Sequence, residues 1–393
     1  IASISYLILI YFSNLLMDYK KSSTSFYLLV LILLMNPMLW IMSNRYMPDF
    51  MGLSIFIASF YLLTSEQTRD KYIGGFLFGI LLGVRLSYFP LLILPILLLL
   101  YNSRLKVNIV LLSMFLAGCF VWLLPMVWIT GFDNIIYLAQ NQTLGHFTDF
   151  GGTILTENSW INRLKYFIHT IWSDGLGGYW YGRSYYTLLL SILIIFLFYL
   201  SGKSLSQNLS NNKRFKILIL SITIYALWAI CFQNIIYKSR HVMPIVYLLI
   251  LFISFGFKYS DKKGYIYFKV LIVAFFISLG FISTNLAIQH KGLTAIAKTR
   301  EYFEDFKNPI IVSNSLVNYY LNSTGVKAEY IDVEMLKEYE IDSSYETNKN
   351  IFMIGEYQEL LGNKISTIPD TVFYHNPYVN RMWSTISIYR IRL

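Results

Sequence analysis

The chain has 393 residues, of which 56% are hydrophobic, 18% aromatic and only 14% charged, against roughly 25% charged in an average soluble domain. That balance excludes a protein that is soluble along its whole length and makes a bilayer the main solvent for most of it. The net charge of +10 does not signal nucleic acid, because 21 basic and 9 acidic residues precede Gln289 while 11 and 13 lie from there on. The excess sits in the apolar part, where basic loops set topology, and no aromatic-interleaved basic run or finger spacing accompanies it.

Charge-poor blocks run over 1–17, 25–42, 51–64, 72–101, 108–130, 185–200, 217–236, 242–257 and 270–288. Basic clusters separate them at Lys20/Lys21, Arg69/Lys71, Arg104/Lys106, Lys203/Lys213/Arg214/Lys216 and Lys258/Lys262/Lys263/Lys269, and the positive-inside rule assigns all of these to the cytoplasm. Both loops flanking 72–101 are basic, so that block must cross twice, as two helices of about thirteen residues meeting near Arg85 and Ser87. Such broken helices are tolerated where they line a cavity. The expected fold is therefore a polytopic α-helical membrane protein of about ten passes with one short, broken pair, and with Ile1 outside.

Outside also fall 43–50, a long stretch 131–184 and the turn 237–241. Trp160, Trp172, Tyr179, Trp180 and Tyr181 make the long stretch aromatic, which predicts short amphipathic helices at the interface; an aromatic belt alone would read the same way. His169 and Asp174 are expected as surface residues of one such helix. Cys119 and Cys231 lie inside apolar blocks and read as small apolar residues, not as a disulfide or metal pair. The first residues carry neither a basic n-region nor a small-residue cleavage site, and a truncated N-terminus is expected.

From Gln289 the sequence turns ordinary and soluble, giving domains at 1–288 and 289–393. Strand-like runs at Pro309–Ser313, Ala328–Asp332 and Ile351–Ile354 alternate with helix-like runs at Leu316–Leu321, Met335–Tyr339 and Tyr357–Leu361, and Ser384–Arg392 closes as a strand. This predicts a small extracytoplasmic α/β domain. Without a phosphate-loop glycine pattern, a lid, docking or scaffolding role is expected of it.

Three stretches carry a resemblance: Asn44-Arg45-Tyr46-Met47-Pro48-Asp49, the run Gly79 to Pro90 (GILLGVRLSYFP), and Tyr237 to Pro244 (YKSRHVMP). In this order, with a large outer loop after Pro125-Met126-Val127-Trp128 and a terminal soluble domain, they resemble the GT-C superfamily of membrane glycosyltransferases, near the protein mannosyltransferases and aminoarabinose transferases. The resemblance implies an inverting transferase of the bacterial inner membrane that moves a sugar from a polyprenyl-phosphate donor to a lipid or glycan acceptor outside the cytoplasm. The first outer loop of such enzymes, which supplies their catalytic acidic residue, has no counterpart here.

That chemistry needs a carboxylate to deprotonate or orient the acceptor and cations to meet the leaving phosphate. Asp49 is the catalytic candidate, with helix N-capping as the plainer alternative. Arg85 lies midway along an apolar block, where it either meets phosphate or snorkels. Lys238, Arg240 and His241 form a cationic turn where topology does not require one; donor phosphate and lipid headgroups both suit it. Arg183 is a further candidate for phosphate or sugar. His146 and Asp149 are candidates for the acceptor or a divalent ion, although their spacing matches no firm metal pattern and no metal ligand is assigned. The competing readings are an O-antigen polymerase or ligase, a transporter or flippase, which predicts paired broken helices, and a non-catalytic scaffold.

Overall fold

The structure, a computed structural model, describes residues 1–21, 23–45, 47–148, 153–156, 159–235, 238–333, 350–358, 366–376 and 384–392, with the backbone alone at 205–211 and 392. The chain divides into two compact units, Ile1–Leu286 and Ala287–Leu393.

In the first unit the apolar blocks are helices: α1 (Ala2–Met17), α2 (Thr24–Met35), α3 (Pro37–Ser43), α4 (Asp49–Leu63), α5 (Thr68–Val84), α6 (Pro90–Asn102) and α7 (Leu105–Thr130). The stretch expected at the interface holds α8 (Phe132–Thr148) and α9 (Trp160–His169), the latter running into a π-helical turn, Thr170–Gly175. After it come α10 (Tyr186–Asn211), α11 (Lys213–Phe232), a 3-10 turn at Ser239–Val242, α12 (Met243–Lys263) and α13 (Ile266–His290). Among the described residues five helices are long and apolar enough to cross a membrane: α7, α10, α11, α12 with the turn before it, and the helix that begins at Ile266. There are six if α2 and α3 form one bent span. α1, α4 and α6 are apolar but shorter.

Two breaks shape the unit. Block 25–42, expected as one uninterrupted helix, bends by 60° between α2 and α3. Pro37 has no N–H for the preceding turn, and Asn36 leaves helical geometry so that its Oδ1 accepts from Leu39 N at 3.1 Å and caps a new helix. The other break falls at Arg85, whose extended backbone ends α5. A 3-10 turn at Leu86–Tyr88 follows, and Pro90, preset for a first helical turn, starts α6.

α4 is the centre, with Phe50, Leu53, Phe56, Ile57 and Phe60 buried against α1, α5 and α6. α5 lies backbone-close to α7. A Cβ on Gly79 would stand 2.2 Å from Phe115 O, and one on Gly118 2.1 Å from Phe76 O. The indole of Trp122 donates to Gly79 O at 3.0 Å.

The second unit is a five-stranded sheet in the order β2-β1-β3-β5-β4, built from β1 (Ile310–Ser313), β2 (Glu329–Asp332), β3 (Ile351–Ile354), β4 (Ser366–Tyr374) and β5 (Thr385–Arg392). β1 pairs in parallel with β2 and β3, and β5 runs antiparallel between β3 and β4. Both faces of β1 and β3 are buried, as parallel strands require. Ile311, Phe352 and Ile354 pack with Phe303 of α14 (Ala295–Glu304) and Val317 and Leu321 of α15 (Ser315–Ser323), while Ile310, Val312, Ile351 and Met353 pack on the other side.

Sequence patterning misses β4 because it contains Pro369 and Asp370. The structure explains them: β4 is an edge strand with an irregularity between Pro369 and Thr371, where a residue without an N–H is tolerated. α14 also goes unpredicted. The helix expected at 335–339 lies outside the described residues, as does the one at 357–361 beyond Gln358.

Phe352 is the hub of the sheet's aromatic face, 5.2 Å from the Phe303 ring and 4.8 Å from that of Phe306, with the Arg390 guanidinium 5.4 Å from its own centroid. Phe352→Ala is expected to cost the domain about 3–5 kcal/mol. Hydrogen exchange of the full chain checks it: β1 and β3 should lose protection while α4 keeps its own.

Candidate functional site

Four stretches remote in sequence meet around Asp49. It is the first residue of α4, so the capping position falls on Pro48, which makes no side-chain capping bond. The N-cap role considered for Asp49 is thereby displaced; a carboxylate in the first turn still suits the helix dipole. Its side chain is 0% exposed, with Arg85 Nη2 2.9 Å from Oδ1 and Arg240 Nε 3.9 Å from Oδ2. Arg85 gets there because α5 stops at Val84, and Arg240 because the 3-10 turn at Ser239–Val242 leads into α12.

Neighbours fix both guanidiniums. Arg85 Nη2 lies 3.1 Å from His241 Nδ1, and since arginine only donates, Nδ1 is the acceptor and the imidazole is neutral. His241 is thus a partner that orients Arg85 and not a third cation of the turn. Its backbone is held in turn, because Tyr225 Oη donates to His241 O at 2.8 Å. The Tyr88 ring stands edge-on to Tyr225 at 5.6 Å and 5.9 Å from the Arg85 guanidinium, and Tyr88 Oη donates to Asp49 O at 3.5 Å. Arg240 Nη1 donates to Met47 Sδ at 2.9 Å. Gly52 leaves room for this packing, since a Cβ there would lie 3.0 Å from Arg85 Cβ.

The electrostatics are lopsided. Burial, then the charges of Arg240 and Arg85, hold Lys238 below the usual lysine range; burial, then Arg240, lower Arg45. Among the described residues four cations, Arg45, Arg85, Lys238 and Arg240, therefore share one neighbourhood with a single buried carboxylate. Among the described residues, both Asp49 oxygens, Arg85 Nε and Arg240 Nε are buried without a hydrogen-bond partner, so the ion pairs attract without aligned bonds. Arg85 and Arg240 keep 17% and 18% of their side chains exposed, which leaves them open to a ligand while Asp49 is closed off.

The other sequence candidates lie elsewhere. Arg183 pairs with Asp174, which is 0% exposed; Asp174, expected at the surface, is instead the buried anchor of the 170–183 segment. His169 is half-buried and stacks on Trp180, ring centroids 4.8 Å apart. His146 Nε2 lies 2.6 Å from Phe232 O, and Asp149 is outside the described residues. Among the described residues no group of three or more His, Cys, Asp or Glu side chains could hold a metal ion.

Sequence reading passed over Arg45, although it lies in the quoted run before Asp49, and also Tyr88, three residues past Arg85. Tyr225 and Gly52 gave no signal, being one tyrosine and one glycine among many in apolar blocks. Arg163 also escaped: its guanidinium is 0% exposed and donates to the carbonyl of Ile230 and, at 3.5 Å, to that of Gln233 at the C-terminal end of α11, tying α9 to that helix. No protein-family model, curated protein or solved structure matches the chain.

Proposed function

We propose that the chain is a membrane glycosyltransferase of the GT-C kind, which transfers a sugar from a polyprenyl-phosphate donor to a lipid or glycan acceptor on the non-cytoplasmic side. The observation that supports this reading is the cation excess around Asp49: among the described residues, four partly exposed basic side chains against one enclosed carboxylate. A partly buried surplus of positive charge is stabilised by an anionic ligand, and a phosphate leaving group develops charge where guanidiniums with spare donors can meet it.

In the proposed step the acceptor hydroxyl attacks the anomeric carbon, the bond to the donor phosphate breaks, and the lipid phosphate leaves with that electron pair. Arg85, Arg240 and Lys238 meet the phosphate. Asp49 holds the two guanidiniums in place, and the hydroxyl proton is taken up by water.

Counting α1, the bent α2–α3 pair, α4, α5 and α6 as passes together with the five long helices gives the ten-pass topology proposed here. Ile1, the 131–184 stretch and the domain from Gln289 then lie outside, in a bacterial inner membrane. Cysteine labelling of intact cells tests it. A cysteine replacing Asn141 should react without permeabilisation and one replacing Lys213 should not; the opposite pattern would invert the topology.

A second reading is transport of a lipid-linked anion. It is favoured by the bend at Asn36–Pro37, which joins the break at Arg85 as a second interrupted helix, and paired broken helices are a feature of transporters. The full chain in sealed vesicles separates the two: sugar appearing on an acceptor supports transfer, whereas movement of intact polyprenyl-phosphate sugar between leaflets without transfer supports transport.

A further inference from the structure

A second polar cavity lies at the other end of α4. α1 and α4 run side by side, with Tyr6 on Phe50 near their starts and Phe12 on Tyr61 near their ends, ring centroids 4.5 and 5.5 Å apart. The helix between Asp49 and Tyr61 spans about 18 Å at 1.5 Å per residue. At the far end Asn14, Asp18, Tyr19, Tyr61, Asn212 and Arg214 line a cavity of about 280 Å³, enough for one small polar group. It lies among the loops whose lysines mark the cytoplasmic side.

The walls are built. Asn212 Nδ2 donates to Leu16 O at 2.9 Å and joins the start of α11 to the end of α1. Arg214 Nε donates to Thr64 O at 3.2 Å, and its guanidinium lies 4.7 Å from the Tyr61 centroid. The buried Tyr19 donates to Ser254 O at 2.9 Å and carries Lys258 Nζ 5.6 Å from its ring centroid. One wall group is unspent: Asn14 is 7% exposed, and its Oδ1 is buried with no hydrogen-bond partner. Such an oxygen is satisfied by an N–H or O–H donor brought to it.

Among the described residues the lining carries one guanidinium, Arg214, and one carboxylate, Asp18, which is exposed. A bare phosphate would meet Asp18 and a bare amine would meet Arg214, so the complementary ligand carries both signs. We propose that this cavity binds a phosphoethanolamine group, its phosphate on Arg214 and its ammonium donating to Asn14 Oδ1 and the Asp18 carboxylate. The group comes either free from the cytoplasm or as the headgroup of a phospholipid. A choline headgroup has the same charges but no N–H to give to Asn14, and a glycerol headgroup has no cation for Asp18. The proposal does not depend on sugar transfer at the Asp49 cluster.

The test uses the full chain in phosphatidylcholine nanodiscs. Free phosphoethanolamine is titrated calorimetrically, and retained phosphatidylethanolamine is counted by native mass spectrometry. The wild type should prefer ethanolamine over choline and over glycerol headgroups by roughly tenfold, the size of one charged hydrogen bond. Asn14→Leu should erase the preference over choline, Asp18→Asn the preference over glycerol, and Arg214→Gln should weaken all three. Asp18 is exposed, so its variant keeps the fold and carries the test if Asn14→Leu fails to assemble. Binding of the free compound identifies a soluble source, and retention of the lipid alone identifies a membrane source. Binding without an ethanolamine preference, or no binding of either probe, overturns the proposal.

Discussion

Asp49→Asn is expected to leave the chain folded in the membrane and to reduce the proposed sugar transfer by roughly 10²- to 10³-fold, the loss that follows when one preorganised donor no longer meets developing charge. The carboxylate lies between Arg85 at 2.9 Å and Arg240 at 3.9 Å. An amide keeps its shape and gives up the charge that holds both guanidiniums. The sign of the binding effect is the distinctive part. Removing a negative charge makes the cluster more cationic, so affinity for the anionic donor should hold or rise while turnover falls. A carboxylate acting only as a fold element would leave turnover unchanged. Asp49→Ala goes further, because it leaves two half-buried arginines without their counter-charge, and breaking such a pair costs about 3–5 kcal/mol. Steady-state kinetics and thermal unfolding of the two variants separate positioning from folding.

Gly79→Val is expected to leave little folded protein in the membrane. Gly75, Gly79 and Gly83 recur every four residues along α5, and the Cβ positions they lack fall 2.6 Å from Leu111 Cδ1, 2.2 Å from Phe115 O and 2.3 Å from Trp122 Cγ of α7. Two of these neighbours are side chains that can shift. Phe115 O is helix backbone and cannot, so α5 and α7 must separate. In a bilayer this close approach is itself the source of helix association, because lipid solvates an exposed apolar face as well as another helix does. The Trp122 bond to Gly79 O would be lost with it. Gly79→Ala should be milder but in the same direction, and a membrane-fraction yield equal to wild type for Gly79→Val would show that α5 and α7 do not pack this way.

The membrane character was legible because hydropathy reports the solvent directly, and the break at Arg85 because both flanks of 72–101 are basic. The bend at Pro37 is hidden from hydropathy although Asn36-Pro37 is a capping pair, because the block is uniformly apolar and hydropathy does not resolve helix direction. β1, β2, β3 and β5 stood out as β-rich runs, while the edge strand β4 hid behind Pro369. For the site, Asp49, Arg85 and Arg240 stand out in the sequence as charges in apolar or outer positions. Their mutual pairing, the neutral acceptor role of His241 and the contributions of Arg45, Tyr88 and Tyr225 arise from interactions between residues up to 195 positions apart, which local pattern does not encode. Asp174 misled because an acid in an amphipathic segment reads as exposed, whereas Arg183 nine residues on neutralises it inside.

Equilibrium binding of undecaprenyl phosphate to the full chain in nanodiscs, wild type against Arg240→Ala, decides whether the Asp49 cluster holds a lipid phosphate. If the cation excess around Asp49 is a lipid-phosphate site, the wild type should bind saturably and Arg240→Ala should weaken that binding by about 1.5–3 kcal/mol, the usual worth of a hydrogen bond to a charged group. Equal affinity in the two proteins would take the cluster out of donor recognition and contradict the proposed function.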